Sequence, residues 1–451
     1  MIIISIFGLF GIFSFGFFVA DFLLGRASHI LERISVGFLL GTGIFTFIIF
    51  LLNWLFNVSF SLGYELLVLL ALNLIAFLIN IVIGKQQKVK EPFNYNLCFT
   101  CGFKKLTLVE KVFLGITLFL CAYSLIMNMY WPVADWDALA LYDFRAKVFL
   151  VDKLVVPASL TNGYFLQYPL YTSLIHTFFY HLGFANPKFV YTLFYFYFLV
   201  IFFFSLRRHV NRDKAMFFTA FLALVPELIT HSTMAYTNLP YVVFFCSGIF
   251  YLYEWIRFEK ISFLILSGLL VGLSRWVRTT EPFWAIPLLV VVWVSLKNKR
   301  WKEIVYFFIP VYSLSRVWQV FVAHVAGLLP HSTATLAKAN PALSYLSLVE
   351  KVTFSRFVEV GIYLYKNVFS VWGLILLIFI LILILSVGQA SRKKNDKIFL
   401  YITSLFLIFL YIGTIGFSMI YPGWQEIPES ARRMSMVILP FLVYSISIYK
   451  W

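Results

Sequence analysis

TLVEKVFLGITLFLCAYSLIMNMY, residues 107–130, runs directly into WPVADWDALALYDFRAK, residues 131–147. The first segment is nearly all hydrocarbon and, as a helix, is long enough to cross the roughly 30 Å apolar core of a bilayer. The second sets Asp135, Asp137, Asp143, Arg145 and Lys147 against its end. A helix that stops being apolar so abruptly stops at a water boundary. This junction therefore decides the fold class and shows where chemistry would sit.

The rest of the chain repeats the first half of that pattern. Of 451 residues, 62% are hydrophobic and 12% charged, and the mean hydropathy is +0.90. Soluble domains carry about 25% charged residues, so this composition suits a bilayer. Apolar stretches fall at about 1–23, 34–56, 62–84, 107–130, 166–184, 188–206, 215–231, 235–256, 262–274, 282–296, 302–326, 367–387, 398–420 and 434–450. Backbone groups in lipid must be satisfied internally, and the alternation of barrel strands is absent, so these are helices. The expectation is an all-α, polytopic transmembrane protein with about 12–14 membrane helices and interfacial helices in its acidic first outer loop. The N-terminal stretch lacks the cationic start of a cleaved signal and reads as a span. No internal repeat or linker divides the chain.

The net charge of +16 is spread over short loops rather than gathered into a nucleic-acid surface. Loops 24–33, 85–105, 207–214, 257–261, 297–302 and 391–397 carry Lys and Arg, as the positive-inside bias produces. Placing them in the cytoplasm puts 131–165, 232–238, 275–281, 327–365 and 421–433 on the other face. Segment 166–184 then cannot be a complete span: either it re-enters or lies at the interface, or one loop breaks the bias. Cys98 and Cys101 form a lone CxxC, half of a zinc ribbon without its partner. Cys121 and Cys246 lie within apolar runs, as packing residues do.

The inner loops are plainly basic, whereas the outer ones mix acid, base, Tyr, Trp and Pro. Asp135 and Asp137 sit where a carboxylate is partly desolvated and can be tuned to take a proton. Either could instead cap a helix over Ala138–Phe149. Helical spacing puts Arg145 near the face of Asp137. Arg145 and Lys147 suit phosphate oxygens or, equally, snorkel to headgroups. Arg275, Arg278 and Glu281 occupy the tip of a hairpin formed by 262–274 and 282–296, where charge is costly and is paired or functional. Arg432 and Arg433 open the last helix, whose N-terminal dipole already favours an anion.

The order of these pieces resembles the C-type membrane glycosyltransferases, and within them bacterial relatives of the protein mannosyltransferases and aminoarabinose transferases. The pieces are Asp135-Trp136-Asp137, Tyr168-Pro169-Leu170, Tyr236-Thr237-Asn238-Leu239-Pro240, Arg278-Thr279-Thr280-Glu281 and Arg432-Arg433. They span about residues 107–450 and leave 1–105 as an N-terminal three-span addition to a catalytic module at 106–451. The resemblance implies a plasma (inner) membrane enzyme whose site faces away from the cytoplasm. Its donor would be a polyprenyl-phosphate sugar and its acceptor a glycan, lipid or protein, with a divalent metal as an open question. Asp137, then Asp135, would be the base, and Arg278, Arg432 and Arg433 would hold the phosphate, with Arg145, Lys147, Tyr168, Asn238 and Glu281 around it. Asn238 stands where relatives often carry an acid, and Pro282 where they commonly carry Gly. Three rival readings remain, one of them a structural membrane subunit, which would leave Asp135 and Asp137 without work. A lipid-linked glycan polymerase or ligase would use the 327–365 loop, with His324, His331, Arg356 and Glu359 nearby. A transporter or flippase would show broken helices.

Overall fold

The computed structural model describes residues 2–25, 28–84, 106–161, 166, 168–279, 282–328, 353–388, 394–421 and 423–449. Cys98, Cys101, Glu281 and His331 lie outside them. Every regular element among the described residues is helical. The first four helices are α1 (Ile2–Leu24), α2 (Ile30–Phe56), α3 (Leu62–Gly84) and α4 (Leu108–Tyr130). The stretch after α4 holds a π turn (Ala138–Tyr142), α5 (Asp143–Asp152) and α6 (Val155–Thr161). Next come α7 (Tyr171–His181), α8 (Phe189–Arg207), α9 (Arg212–Ala223), α10 (Pro226–Ser232), α11 (Asn238–Phe258) and α12 (Ile261–Val277). The remainder are α13 (Ala285–Lys297), α14 (Lys302–Leu328), α15 (Phe354–Leu364), α16 (Leu374–Gly388), α17 (Lys394–Ile420), α18 (Pro428–Ser435) and α19 (Ile438–Ile448).

Among the described residues, eight helices are long and apolar enough to cross a membrane, or up to eleven if each sharply bent pair is one span. The chain is thus a multi-pass helical membrane protein, with fewer straight spans than the apolar stretches suggest. Three stretches break instead: α9 and α10 meet at 65°, the helix ending at Trp372 and α16 at 97°, and α18 and α19 at 41°. Pro226 opens α10 at a position where a helix loses no bond to proline. α12 and α13 are shorter apolar helices, as a hairpin requires.

The core forms around α2 and α11. Small residues let the N-terminal helices approach: a Cβ on Gly16 would collide with the Gly37 carbonyl oxygen, and one on Gly41 with that of Ile12. Such backbone contact replaces the hydrophobic drive that lipid cannot supply between helices. Polar contacts then join α2 to later elements. Tyr171 donates to Thr42 at 3.1 Å, Trp276 Nε1 to Thr46 Oγ1 at 3.1 Å, and Asn53 Nδ2 to the Lys153 carbonyl at 2.9 Å. The described part of the N-terminal addition, 2–84, therefore shares one core with the rest.

Basic loops gather at one end of the bundle, and there the expectation of plain basic loops is corrected. Arg208 is buried; its Nη2 donates to both oxygens of Glu32 at 2.7 Å, and Tyr251 donates to the same carboxylate at 2.7 Å. Glu254 accepts from Ser205 at 3.0 Å and faces His209 Nε2 at 3.1 Å. Arg212 binds Glu110 on α4, and Lys214 donates to the Tyr449 carbonyl at 3.0 Å. The partner acids lie far away in sequence, so the loop reads as unpaired until the chain folds.

α7 does not cross the bundle. Its 11 residues reach about 16 Å, and Tyr171–Phe179 are buried throughout. It starts beside Thr42, near the middle of α2, and ends where His181 meets Glu65 at 2.9 Å at the start of α3. Leu182 then accepts from Ser5 at the start of α1, at 2.6 Å. Segment 166–184 therefore dips to mid-bundle and returns to the rim away from the basic loops.

Two outcomes check this architecture. Gly37→Val puts a side chain against the Phe17 amide, 2.8 Å from the new Cβ, and should destabilise by about 1–3 kcal/mol or more. An unchanged melting midpoint in detergent would sink the crossing. In a variant without its native cysteines, Ala185→Cys and Asp213→Cys should react with an impermeant maleimide from opposite sides of sealed vesicles. Labelling from one side would refute the re-entrant α7.

Candidate functional site

The site assembles at the rim opposite the basic network. A helical turn starts where Leu139 N–H donates to the Asp135 carbonyl at 2.9 Å. Asp137 makes no side-chain cap bond, so the capping alternative fails for this residue. Its carboxylate turns outward from that turn, and Arg433 Nη1 donates to Oδ2 at 2.7 Å. Arg433 also lies 5.1 Å from the centre of the Tyr236 ring. Burial, and then the Asp137 carboxylate, push the Tyr236 hydroxyl above its usual pKa, so it remains a donor. The start of the first loop, the 233–237 turn and the last bent helix thus converge.

Sequential spacing misplaces Arg145. The π turn adds a residue before α5, and the Asp143 N–H reaches the Ala138 carbonyl. Arg145 faces inward at 1% exposed, while the Asp137 side chain stays 37% exposed. The shared face expected for the two is corrected. Arg145 donates to the Leu141 carbonyl at 3.2 Å and the Tyr168 carbonyl at 2.9 Å, with its guanidinium 5.6 Å from the Tyr142 ring centre.

A second cationic centre lies deeper. Arg278, just past the end of α12, stands 5.3 Å from the Tyr168 ring centre. Tyr168 packs edge-on to Tyr142 at 5.9 Å, and the Tyr142 hydroxyl is 3.2 Å from Thr237 Oγ1. Burial holds the Tyr142 hydroxyl protonated. Trp276, two residues before Arg278, bonds Thr46 on α2, and α2 continues to Phe56. At 1.5 Å per residue Thr46 lies about 15 Å along α2 from its end.

The other expected residues are dispersed. Lys147 pairs with Asp143 at 2.9 Å, one turn back. Asn238 is buried at the first turn of α11, where its neighbours Tyr236 and Thr237 make the contacts toward the rim. Arg432 points away from Arg433, as neighbours on a helix must. Its Nε donates to the Asn367 carbonyl at 3.2 Å, and Nη1 lies 3.7 Å from Glu429. Asp135 supplies the charge facing Lys188, whose Nζ donates to the Pro132 carbonyl at 3.2 Å. Burial pushes that ammonium below its usual pKa, and Asp135 pulls it back up. Glu281 is outside the described residues.

Several contributors escaped the sequence. Tyr142 carries no signal of its own, and Tyr236 enters only as the first residue of the 236–240 piece. His231 lies on α10, 6.4 Å from Tyr236 between ring centres, and nothing in its neighbours along the chain marks it. Behind the site, Asp143 binds His176 Nδ1 at 3.1 Å and Tyr180 at 2.5 Å, and His176 Nε2 meets Tyr191 at 3.1 Å. Burial opposes ionisation of Asp143, but these partners and Lys147 outweigh it and hold the carboxyl at about 2. Among the described residues, no three His, Cys, Asp or Glu gather into a metal-ligand set. Of the residues near the 327–365 loop, Arg356 and Glu359 pair with each other at 3.3 Å, and His324 lies 6.2 Å from the Trp54 ring centre.

The comparisons with known proteins return nothing: no protein-family model, no curated protein and no solved structure matches the chain.

Asp143 gives this framework a testable signature. With its folded value below the ordinary 3.8, its stabilisation is present above that ordinary value and is lost as pH falls through the folded one. Asp143→Asn should cost about 3–5 kcal/mol at neutral pH, the range for breaking a buried pair. Lys147→Met, at an exposed partner, should cost within about 1 kcal/mol. The melting gap between wild type and Asp143→Asn should close only as pH falls from about 4 toward 2. A gap already closed at pH 5 would overturn the assignment.

Proposed function

We propose that the chain is a membrane glycosyltransferase that moves a sugar from a polyprenyl-phosphate carrier to an acceptor hydroxyl or amine at the rim opposite its basic loops. The observation that carries the reading is the approach of Arg433 to Asp137 at 2.7 Å, with the Arg278–Tyr168 pair recessed behind it. An acid for the acceptor and cations for a phosphate are what this transfer needs. The resemblance of the motif order to the C-type membrane glycosyltransferases points the same way.

In this reading the acceptor oxygen attacks the anomeric carbon as the bond from that carbon to the phosphate oxygen breaks. The electron pair leaves with the polyprenyl phosphate, and Arg278 and Arg433 stabilise the charge that develops there. The acceptor proton passes to Asp137. Arg433 occupies Oδ2 and so orients the carboxylate, leaving Oδ1 for the acceptor. Asp135, whose charge reaches Lys188, positions the loop. Tyr168, half-buried, offers an aromatic face that suits a sugar ring, and Tyr142 is buried behind it. The acceptor is a glycan, a lipid or a protein side chain.

A second reading has its own support. The bends of 65°, 97° and 41° are the broken helices that a carrier uses, so a flippase for the same lipid-linked sugars shares the site but not the bond-breaking step.

One assay separates them. The purified chain in liposomes is given a panel of polyprenyl-phosphate sugars with mixed acceptors, and free polyprenyl phosphate is measured. Release should fall by about 10²–10⁴-fold in Asp137→Asn and by at least tenfold in Arg433→Ala. Asp135→Asn should retain most of the rate. Wild-type turnover in Asp137→Asn would sink the base assignment. Movement of intact donor across the bilayer without release would favour the carrier.

A further inference from the structure

His231 takes no part in the proposed transfer, yet its chemistry is unusually well fixed. Its Nδ1 lies 2.8 Å from the Glu227 carbonyl oxygen, one turn earlier on α10. A carbonyl oxygen only accepts, so Nδ1 carries the proton, and in the neutral ring Nε2 presents a lone pair. That nitrogen is buried and has no hydrogen-bond partner among the described residues; the residue is 8% exposed. An acceptor removed from water and left unmet is costly to keep.

Its surroundings say what would meet it. The ring packs edge-on to Tyr236, 6.4 Å away, and Tyr236 in turn carries the Arg433 guanidinium that holds Asp137. The charges that reach His231 are those of Arg433, Glu429 and Arg278. An anion would seek the two arginines rather than a lone pair. Both arginines offer only donors committed to charge, and a neutral lone pair beside them suits a hydroxyl that donates its proton. A sugar ring attached to a phosphate offers both kinds of group together.

We infer that His231 Nε2 accepts a hydrogen bond from a hydroxyl of the sugar carried on the lipid phosphate, and so serves as a residue that selects and positions the donor. This rests on the proposed function, whose phosphate-holding arginines it extends from the anion to the sugar. It requires no covalent step, and the α10 bend relative to α9 brings the ring to the rim.

The test measures binding of defined probes to the full-length chain in detergent: farnesyl phosphate, and farnesyl-phosphate conjugates of neutral hexoses with single-deoxy analogues. Wild type should bind at least one hexose conjugate about tenfold more tightly than farnesyl phosphate, the value of one hydrogen bond. One deoxy analogue should lose that advantage. His231→Ala should lose it for the parent hexose while binding farnesyl phosphate unchanged. His231→Gln, which can place an acceptor oxygen near the Nε2 position, should recover part of it. Arg433→Ala should weaken both ligands. An undiminished hexose preference in a folded His231→Ala protein overturns this inference and leaves the functional reading standing. No binding of any farnesyl phosphate species by wild type overturns both. Equal weakening of both probes in His231→Ala and His231→Gln assigns the residue to packing and also overturns it.

Discussion

The contact between Arg433 and Asp137 joins residues 296 positions apart and closes the last bent helix pair onto the stretch that follows α4. A guanidinium and a carboxylate at the edge of a bundle are each costly to bury alone. Paired, both stay only partly exposed at the rim. Their pairing fixes α18 against the π turn. It brings Tyr236 under the guanidinium and fixes the direction in which the Asp137 carboxylate faces. Removing either partner would release the wall of the site as well as a charge.

A second constraint works at the opposite end. Glu32, Arg208, Glu254 and His209 join α2, α8 and α11 through buried polar contacts. With little hydrophobic force between helices in lipid, such contacts and the glycine crossings of α1 and α2 determine which helices are neighbours. The two ends therefore differ: one joins helices through buried ion pairs, while the other carries the partly exposed Arg433–Asp137 pair. The Asp143–His176–Tyr191 chain supports that second end from behind, holding α5, α7 and α8 in register.

The re-entrant α7 links these regions. Because it turns back at mid-bundle, Tyr168 lies deep beside Arg278 instead of at the surface. The broken helices at α9–α10 and α18–α19 deliver His231 and Arg433 to the same place. An unbroken span would have carried each past the rim.

The sequence determined the membrane class, because runs of apolar residues about twenty long have no soluble solution. It also located the charged rim, since mixed charge beside hydrocarbon is costly, and it marked 166–184 as the one segment in conflict with the charge bias while leaving its course open. It failed where a partner distant along the chain decided a side chain's direction: Arg145 turns inward to the Tyr168 carbonyl and away from Asp137. It failed also where pairing spanned the chain, as for Arg208 with Glu32 and Arg433 with Asp137, and for His231, whose neighbours in sequence give no hint of its neighbours in space. Local composition reports on the solvent that each segment meets. Only tertiary structure decides which polar groups meet each other, because those contacts depend on how distant helices cross.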